Sequence, residues 1–298
     1  MNKCYLNGKE MESRNVVSLY NSSFLYGINV FEGIRAYKHL DSRIILDLKE
    51  HIDRLFISAK QMSFTINFTK KDIQEQILNA LVHFQGDVYI RVTVFMDGEN
   101  SWSSRKNTSL VLSLRDISSS LTDEKSANVY SLGVSSVKRI SRDSLPPQIK
   151  AGSNYLNSRY ATIEVGDRGF DLPILLDKDN YVTESAGSCI FWFKNNVLYT
   201  PSCEMDILHS ITRKRILEVC KSLAIKAIEG SFRVNEIMKA DGVFLAGTMM
   251  ELSEVNNIEN VTYPIGSEFF KRLKNAYKLS VFHNFSADFK INYSDASI

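Results

Sequence analysis

Lys150 stands in the stretch Pro147-Gln148-Ile149-Lys150-Ala151-Gly152-Ser153, after a Pro-Pro pair and ahead of a helical segment. A lysine fixed in a half-buried place can lose its proton and attack an aldehyde, whereas most lysines are solvated surface charges. Glu184 ends the extended run Tyr181-Val182-Thr183 and precedes Ser185-Ala186-Gly187-Ser188. A carboxylate there is either the partner of a ring N–H⁺ or a solvated acid at a strand end. Ser210-Ile211-Thr212-Arg213 opens a helix. Its unpaired N–H groups, positive dipole end and Thr212 hydroxyl suit a phosphate, and a plain N-cap has the same pattern. Gly247-Thr248 follows an apolar run, which fits close approach of backbone to a ligand or a tight turn without one. Arg54 lies off the apolar stripe of its helix, as a surface charge or a grip on phosphate. Tyr89 and Arg91 share one face of an otherwise apolar strand, and a buried arginine needs an anionic partner such as a substrate carboxylate. His39, His51, His83, His209 and His283 show no metal-ligand spacing, so no metal is expected.

These residues need elements to hold them. The chain has 298 residues, 44% hydrophobic and 23% charged, enough for two globular domains. A net charge of +2 gives no basic field for nucleic acid. Cys4, Cys189, Cys203 and Cys220 are scattered, which reads as reduced thiols in a cytoplasmic protein. The N-terminal stretch has no apolar core of the length expected of a signal peptide, no run nears the ~20 apolar residues of a membrane span, and no GxGxxG follows a strand for a nicotinamide cofactor. Asn7-Gly8 reads as a hairpin turn. Strands are expected over 33–37, 44–48, 88–95 and 109–115, with helices over 49–61 and 70–84. The polar run around 118–126 reads as a linker between a domain over 1–117 and a larger one over 127–298. In the second half, strands over 128–135, 172–177, 188–194, 197–200 and 242–246 alternate with helices over 153–165 and 211–224. Tight turns among interspersed helices favour an α+β build over a doubly wound parallel sheet.

Pyridoxal phosphate asks a protein for a lysine amine, an acid for its pyridine nitrogen, a donor for its ring oxygen and a phosphate cradle. The candidate residues answer most of that list. In order and spacing the chain resembles the class IV (fold type IV) pyridoxal-phosphate-dependent aminotransferases, most closely the branched-chain group. The resemblance runs from Tyr5-Leu6-Asn7-Gly8 to about Val255. It is carried by Phe24-Leu25-Tyr26-Gly27, Val30-Phe31-Glu32-Gly33-Ile34-Arg35, His51-Ile52-Asp53-Arg54-Leu55, Tyr89-Ile90-Arg91, Lys150-Ala151-Gly152-Ser153-Asn154-Tyr155-Leu156, Val182-Thr183-Glu184-Ser185-Ala186-Gly187, Ile211-Thr212-Arg213 and Gly247-Thr248.

The resemblance implies a two-domain α+β fold, with a small N-terminal α/β domain and a larger, mixed, β-barrel-like domain. It implies that Lys150 forms the Schiff base and shuttles the proton, that Glu184 binds the pyridine nitrogen, and that Tyr155 donates to the ring oxygen. Arg54, Ile211, Thr212 and Thr248 are implied for the phosphate. Tyr89, Thr248 and Met249 are implied for the substrate α-carboxylate, Tyr26 and Arg91 for the side-chain carboxylate of glutamate, and Phe31 for the side-chain pocket. The substrates implied are an L-amino acid, branched-chain or similarly apolar, with 2-oxoglutarate or glutamate. The assembly implied is a homodimer or larger. Within the fold the alternatives are a D-amino acid aminotransferase and an aminodeoxychorismate lyase, and outside catalysis a homologue that only binds the cofactor. Three departures stand out. The loop at Arg115-Asp116-Ile117-Ser118-Ser119-Ser120 lacks the group's aromatic, Cys189 replaces a frequent asparagine, and His209-Ser210 replaces a Pro-Gly pair.

Overall fold

The computed structural model describes residues 1–12, 17–40, 42–98, 101–117, 129–282 and 290–292. Asn7 and Gly8 take left-handed φ of 47° and 81° and turn β1 (Asn2–Leu6) into β2 (Lys9–Met11). Helix α1 (Ser22–Tyr26) is capped by the Asn21 side chain and stopped by Gly27 at φ 70°. There follow β3 (Asn29–His39), β4 (Ser42–Ile45), α2 (Leu48–Gln61), α3 (Lys70–Leu81), β5 (Val88–Met96) and β6 (Thr108–Asp116). The second stretch holds β7 (Tyr130–Val134), α4 (Tyr155–Gly166), β8 (Leu172–Leu176), β9 (Val182–Ser185), β10 (Cys189–Lys194) and β11 (Val197–Pro201). It continues with α5 (Ile211–Ser222), β12 (Ala227–Gly230), α6 (Val234–Ile237), β13 (Gly242–Gly247), β14 (Glu251–Ile258), β15 (Val261–Thr262), α7 (Glu268–Phe282) and β16 (Lys290–Asn292). Sequence periodicity finds most of these within a few residues. It leaves out β12, α6 and everything from β14 onward. The expected linker over 118–126 lies outside the described residues.

Two compact units divide the chain. One takes Met1–Asp123, Ile149–Ser153 and Val281–Ile298, and the other takes Glu124–Gln148 and Asn154–Ser280. They depart from the expected chain order of 1–117 and 127–298 for physical reasons. The segment at Lys150 hydrogen-bonds along β3: Phe31 N–H donates to Lys150 C=O at 3.0 Å, and Gly152 N–H donates to Asn29 C=O at 3.1 Å. At the C-terminal end, the Phe282 ring lies 5.1 Å from His39 and 6.0 Å from Tyr37, and β16 pairs with β4.

The first unit is an antiparallel sheet in the order β16-β4-β3-β5-β6-β1-β2. Strand β5 alternates, with Val88, Ile90, Val92 and Val94 fully buried and Tyr89, Arg91 and Thr93 half-buried on the opposite face. The buried face packs with Ile52, Leu55 and Ala59 of α2 and Ile73, Ile77 and Ala80 of α3. Thr69 and Asp72 close a reciprocal capping box at the start of α3.

The second unit is a mixed sheet in the order β12-β11-β10-β13-β14-β7-β8-β9, with β15 on β14. Its parallel pairs are β11 with β12, β14 with β7, and β7 with β8. The core centres on Ile190, Trp192, Leu245 and Val255 of neighbouring strands. The whole is α+β.

Candidate active site

In the first unit the backbone of Lys150 is fixed from two sides. Its carbonyl accepts from Phe31, and its N–H donates to the hydroxyl of Ser58 on α2 at 3.2 Å. A Cβ at Gly152 would meet Asn29 Oδ1 at 2.6 Å, so a larger residue there has to displace the Asn29 side chain. The Lys150 amine stands 4.9 Å from the centre of the Phe31 ring, and the Arg91 guanidinium lies over the same ring at 3.6 Å. Arg91 also lines an open cleft of about 380 Å³ with Asn29, Thr93, Phe95 and Phe24. Tyr89 crosses Gly33, where an added Cβ would fall 2.4 Å from the tyrosine oxygen. Tyr26, at the end of α1, is 43% exposed and packs edge-on against Trp102 at 5.7 Å.

Arg54 is held side-on by a buried carboxylate. Its Nε and Nη2 donate to Glu32 at 2.6 and 2.7 Å, and Glu32 Oε2 also bonds His51 Nδ1 at 2.8 Å. Burial alone would push the Glu32 carboxyl up. The Arg54 charge beside it, with hydrogen bonds from Arg54 and His51, overrides that and holds it at about 2. The carboxylate thereby fixes the direction of the guanidinium. His51, Arg54 and Ser58 recur along α2 at helical spacing, so one helix face serves both the arginine and the lysine.

In the second unit the turn after Glu184 is the hub. Gly187 takes φ 73°, and its open Cα face lies against the Tyr155 ring, 3.7 Å from Cε1 to the position of a Cβ. The Gly247-Thr248 turn lies beside it, and a Cβ added at Gly247 would stand 3.5 Å from the Gly187 carbonyl oxygen. Glu184 is buried. Arg139 reaches its Oε1 at 2.7 Å, and the Leu208 N–H donates to Oε2 at 3.1 Å. The hydroxyls of Ser185 and Ser188 are buried with no hydrogen-bond partner, an arrangement that leaves donors for a ligand. At the start of α5, Ser210 Oγ accepts only from Arg213, so the N–H groups of Ile211 and Thr212 are left for an outside acceptor. Met249, past Thr248, is 43% exposed.

The twelve candidates therefore fall into two sets. Tyr26, Phe31, Arg54, Tyr89, Arg91 and Lys150 lie in the first unit, and Tyr155, Glu184, Ile211, Thr212, Thr248 and Met249 in the second. Orphaned hydroxyls, unpaired helix N–H groups and a pinned carboxylate make a donor set that fits pyridoxal phosphate. Among the described residues no cluster could hold a metal.

Residues 29–258 match the family model for the class IV amino-transferases. The chain belongs to the class IV aminotransferases. A Methanocaldococcus jannaschii protein bearing the name of a branched-chain-amino-acid aminotransferase is 34% identical to it, over 93% of this chain and 95% of that one. The branched-chain aminotransferase of Thermoproteus uzoniensis, solved with norvaline, superposes with a TM-score of 0.88 at 28% identity, over 95% and 96% of the two chains. That of Thermobaculum terrenum, solved in its holo-form with the cofactor, gives 0.86 at 26%, over 94% of each. The chain is thus a transaminase of fold type IV, and its cofactor is pyridoxal 5'-phosphate.

Sequence reasoning overlooked four residues that shape this aminotransferase's site. Glu32 and His51 fall within the motifs that carry the resemblance, which assigns them no role. Their signal was a carboxylate in an apolar strand and a histidine three residues before Arg54. Ser58 shares the helix face of Arg54. Arg139 has no local signature, because its partners Glu184 and Asn157 come from distant stretches.

Proposed function

We propose that the enzyme transfers the amino group between a branched-chain or similarly apolar L-amino acid and 2-oxoglutarate, with Lys150 as the nucleophile and proton carrier. The observation that carries this reading is the Phe31 ring, shared by the Lys150 amine at 4.9 Å and the Arg91 guanidinium at 3.6 Å. An apolar ring beside the lysine accepts an aliphatic side chain. The stacked arginine, with Tyr26, accepts the second carboxylate of glutamate. One pocket then serves both substrates in turn, as a transaminase requires. Trp102, packed on Tyr26, supplies aromatic surface that the 115–120 loop lacks.

Bound pyridoxal phosphate supplies the electron sink for the carbanion at the substrate Cα. The chain's residues do the rest. Lys150 would hold the cofactor through its amine, and the same amine, once free, would carry the Cα proton. Glu184 keeps the ring nitrogen protonated, and Tyr155 donates to the ring oxygen. Arg54, the N–H groups of Ile211 and Thr212, and the hydroxyls of Thr212 and Thr248 would hold the phosphate. Tyr89 and the turn at Thr248 and Met249 receive the α-carboxylate.

The assembly is a homodimer. Phe24, Tyr26 and Trp102 are 63%, 43% and 74% exposed, an apolar patch in the first unit that suits a second copy. Four free cysteines fit a reducing cytoplasm. No helix among the described residues is long and apolar enough to cross a membrane.

The test is the visible spectrum of the purified protein. L-Glutamate should discharge the cofactor band, and D-alanine should not. A response to the D-amino acid alone overturns the L-specific reading. Replacing Lys150 by alanine should abolish the lysine-bound band, and survival of that band would remove Lys150 from its role. An oxo-acid panel with glutamate as donor then ranks the apolar substrates.

A further inference from the structure

Arg139 carries none of the roles assigned above, yet its contacts join both polar ends of the cofactor site in the second unit. It follows β7, and its side chain is 5% exposed. Nη2 pairs with Glu184 Oε1 at 2.7 Å. Nη1 donates to Asn157 Oδ1 at 3.1 Å. Asn157 lies in the first turn of α4, the helix that begins with Tyr155, and its Nδ2 donates back to the Lys138 carbonyl at 2.8 Å. The Arg139 N–H donates to the Leu176 carbonyl at 2.8 Å, so the backbone is pinned as well. One guanidinium thus spans the carboxylate assigned to the ring nitrogen and the helix that presents the donor for the ring oxygen.

A buried ion pair contributes little net stability, because desolvation offsets the attraction. Its charge does act strongly on its neighbours, since the interior screens poorly. The Arg139 charge, 2.7 Å from Oε1, is placed to stabilise Glu184 as the carboxylate. Any proton shared with a ring nitrogen then favours the nitrogen. The Leu208 N–H on the second oxygen acts in the same direction.

We propose that Arg139 is a positioning residue for transamination: its charge keeps the proton shared by Glu184 and the ring nitrogen on the nitrogen, and its bond to Asn157 fixes the direction of the pair. The proposal rests on the assignment of Glu184 to the ring nitrogen. Ring-nitrogen protonation strengthens the electron sink, so the residue acts on the rate of Cα proton removal without touching the substrate.

The test uses holoenzyme reconstituted with cofactor carrying ¹⁵N in the ring. The nitrogen chemical shift reports protonation directly, and stopped-flow of the L-amino acid half-reaction reports the rate. In the parent enzyme the nitrogen should be protonated. Arg139→Gln should shift it toward the unprotonated form and slow the half-reaction roughly 10–100-fold, the range seen when an outer partner that orients a primary ligand is removed. Arg139→Lys keeps the charge and loses the second bond, so the nitrogen should stay protonated with only a modest rate loss. A protonated nitrogen in Arg139→Gln overturns the proposal. Should that variant not fold, an unprotonated nitrogen in Arg139→Lys overturns it instead. Glu184→Gln separates the two levels. If it leaves the nitrogen protonated, the Glu184 assignment fails, and Arg139 falls with it. If it removes the proton and Arg139→Gln does not, only the role of Arg139 fails.

Discussion

Glu32 ties stability to pH through a single side chain. Its carboxyl is held at about 2 against 4.5 for an ordinary glutamate, so between those values the unfolded chain binds more protons than the folded one. Its contribution is therefore complete above about pH 4.5 and is lost as pH falls toward 2. The displacement corresponds to about 3 kcal/mol at neutral pH. Urea unfolding at pH 7 and pH 3 should show this loss in the parent protein and a flatter pH dependence in Glu32→Gln. An unchanged pH dependence would mean that the carboxylate is not held as described. At Gly33 the constraint is one of space. A Cβ there lands 2.4 Å from the Tyr89 oxygen, so Gly33→Ala has to displace that ring. We expect a raised KM for the amino acid, a smaller change in kcat, and a stability cost of about 1–3 kcal/mol typical of overpacking. An unchanged KM would remove Tyr89 from the substrate site. Cys220 is the inert counterexample. Burial pushes its thiol up to about 11, so alkylation at pH 8 should spare it in the native protein and reach it in urea.

The elements divide the work in a way the sequence half discloses. Helix α3 was fully legible, because Thr69 and Asp72 announce a capping box and Ile73, Ile77 and Ala80 mark its inner face. Thr69→Ala should cost about 1 kcal/mol of stability and leave activity at ambient temperature unchanged. A larger loss, or a loss of cofactor, would show that α3 does more than cover the sheet. Helix α2 was legible as a helix, and Arg54 was singled out for lying off its apolar stripe. The polar stripe of His51, Arg54 and Ser58 was not read, because its meaning lies in Glu32 and Lys150, which come from other parts of the chain. Strand β5 gave away its two faces through alternation, and so Tyr89 and Arg91. Arg139 stayed invisible for the same reason as Glu32: an ion pair between distant residues leaves no local periodicity. The edge strand β12 was missed because Ala227–Gly230 is four residues long and only partly buried, too short for a pattern.

At the scale of the molecule, the apolar patch of Phe24, Tyr26 and Trp102 is the feature that a monomer would not keep exposed. Phe24→Asp combined with Trp102→Ser should shift the sedimentation of the proposed dimer toward monomer. A dimer that survives this change assembles through another face. The antiparallel sheet of the first unit holds a further consequence, for biosynthesis. Residues 1–117 contain β1 to β6 and could begin to fold as soon as they leave the ribosome. The edge of β3 at Asn29 and Phe31 stays unsatisfied until Ile149–Ser153 arrive to take its hydrogen bonds. During that interval the nascent protein carries an open strand edge, the kind of surface that recruits foreign strands. A fragment ending at residue 117 should therefore aggregate, and a synthetic peptide covering 147–155 should suppress that aggregation. The segment that bears Lys150 would then also act as the sheet's own guard against mispairing.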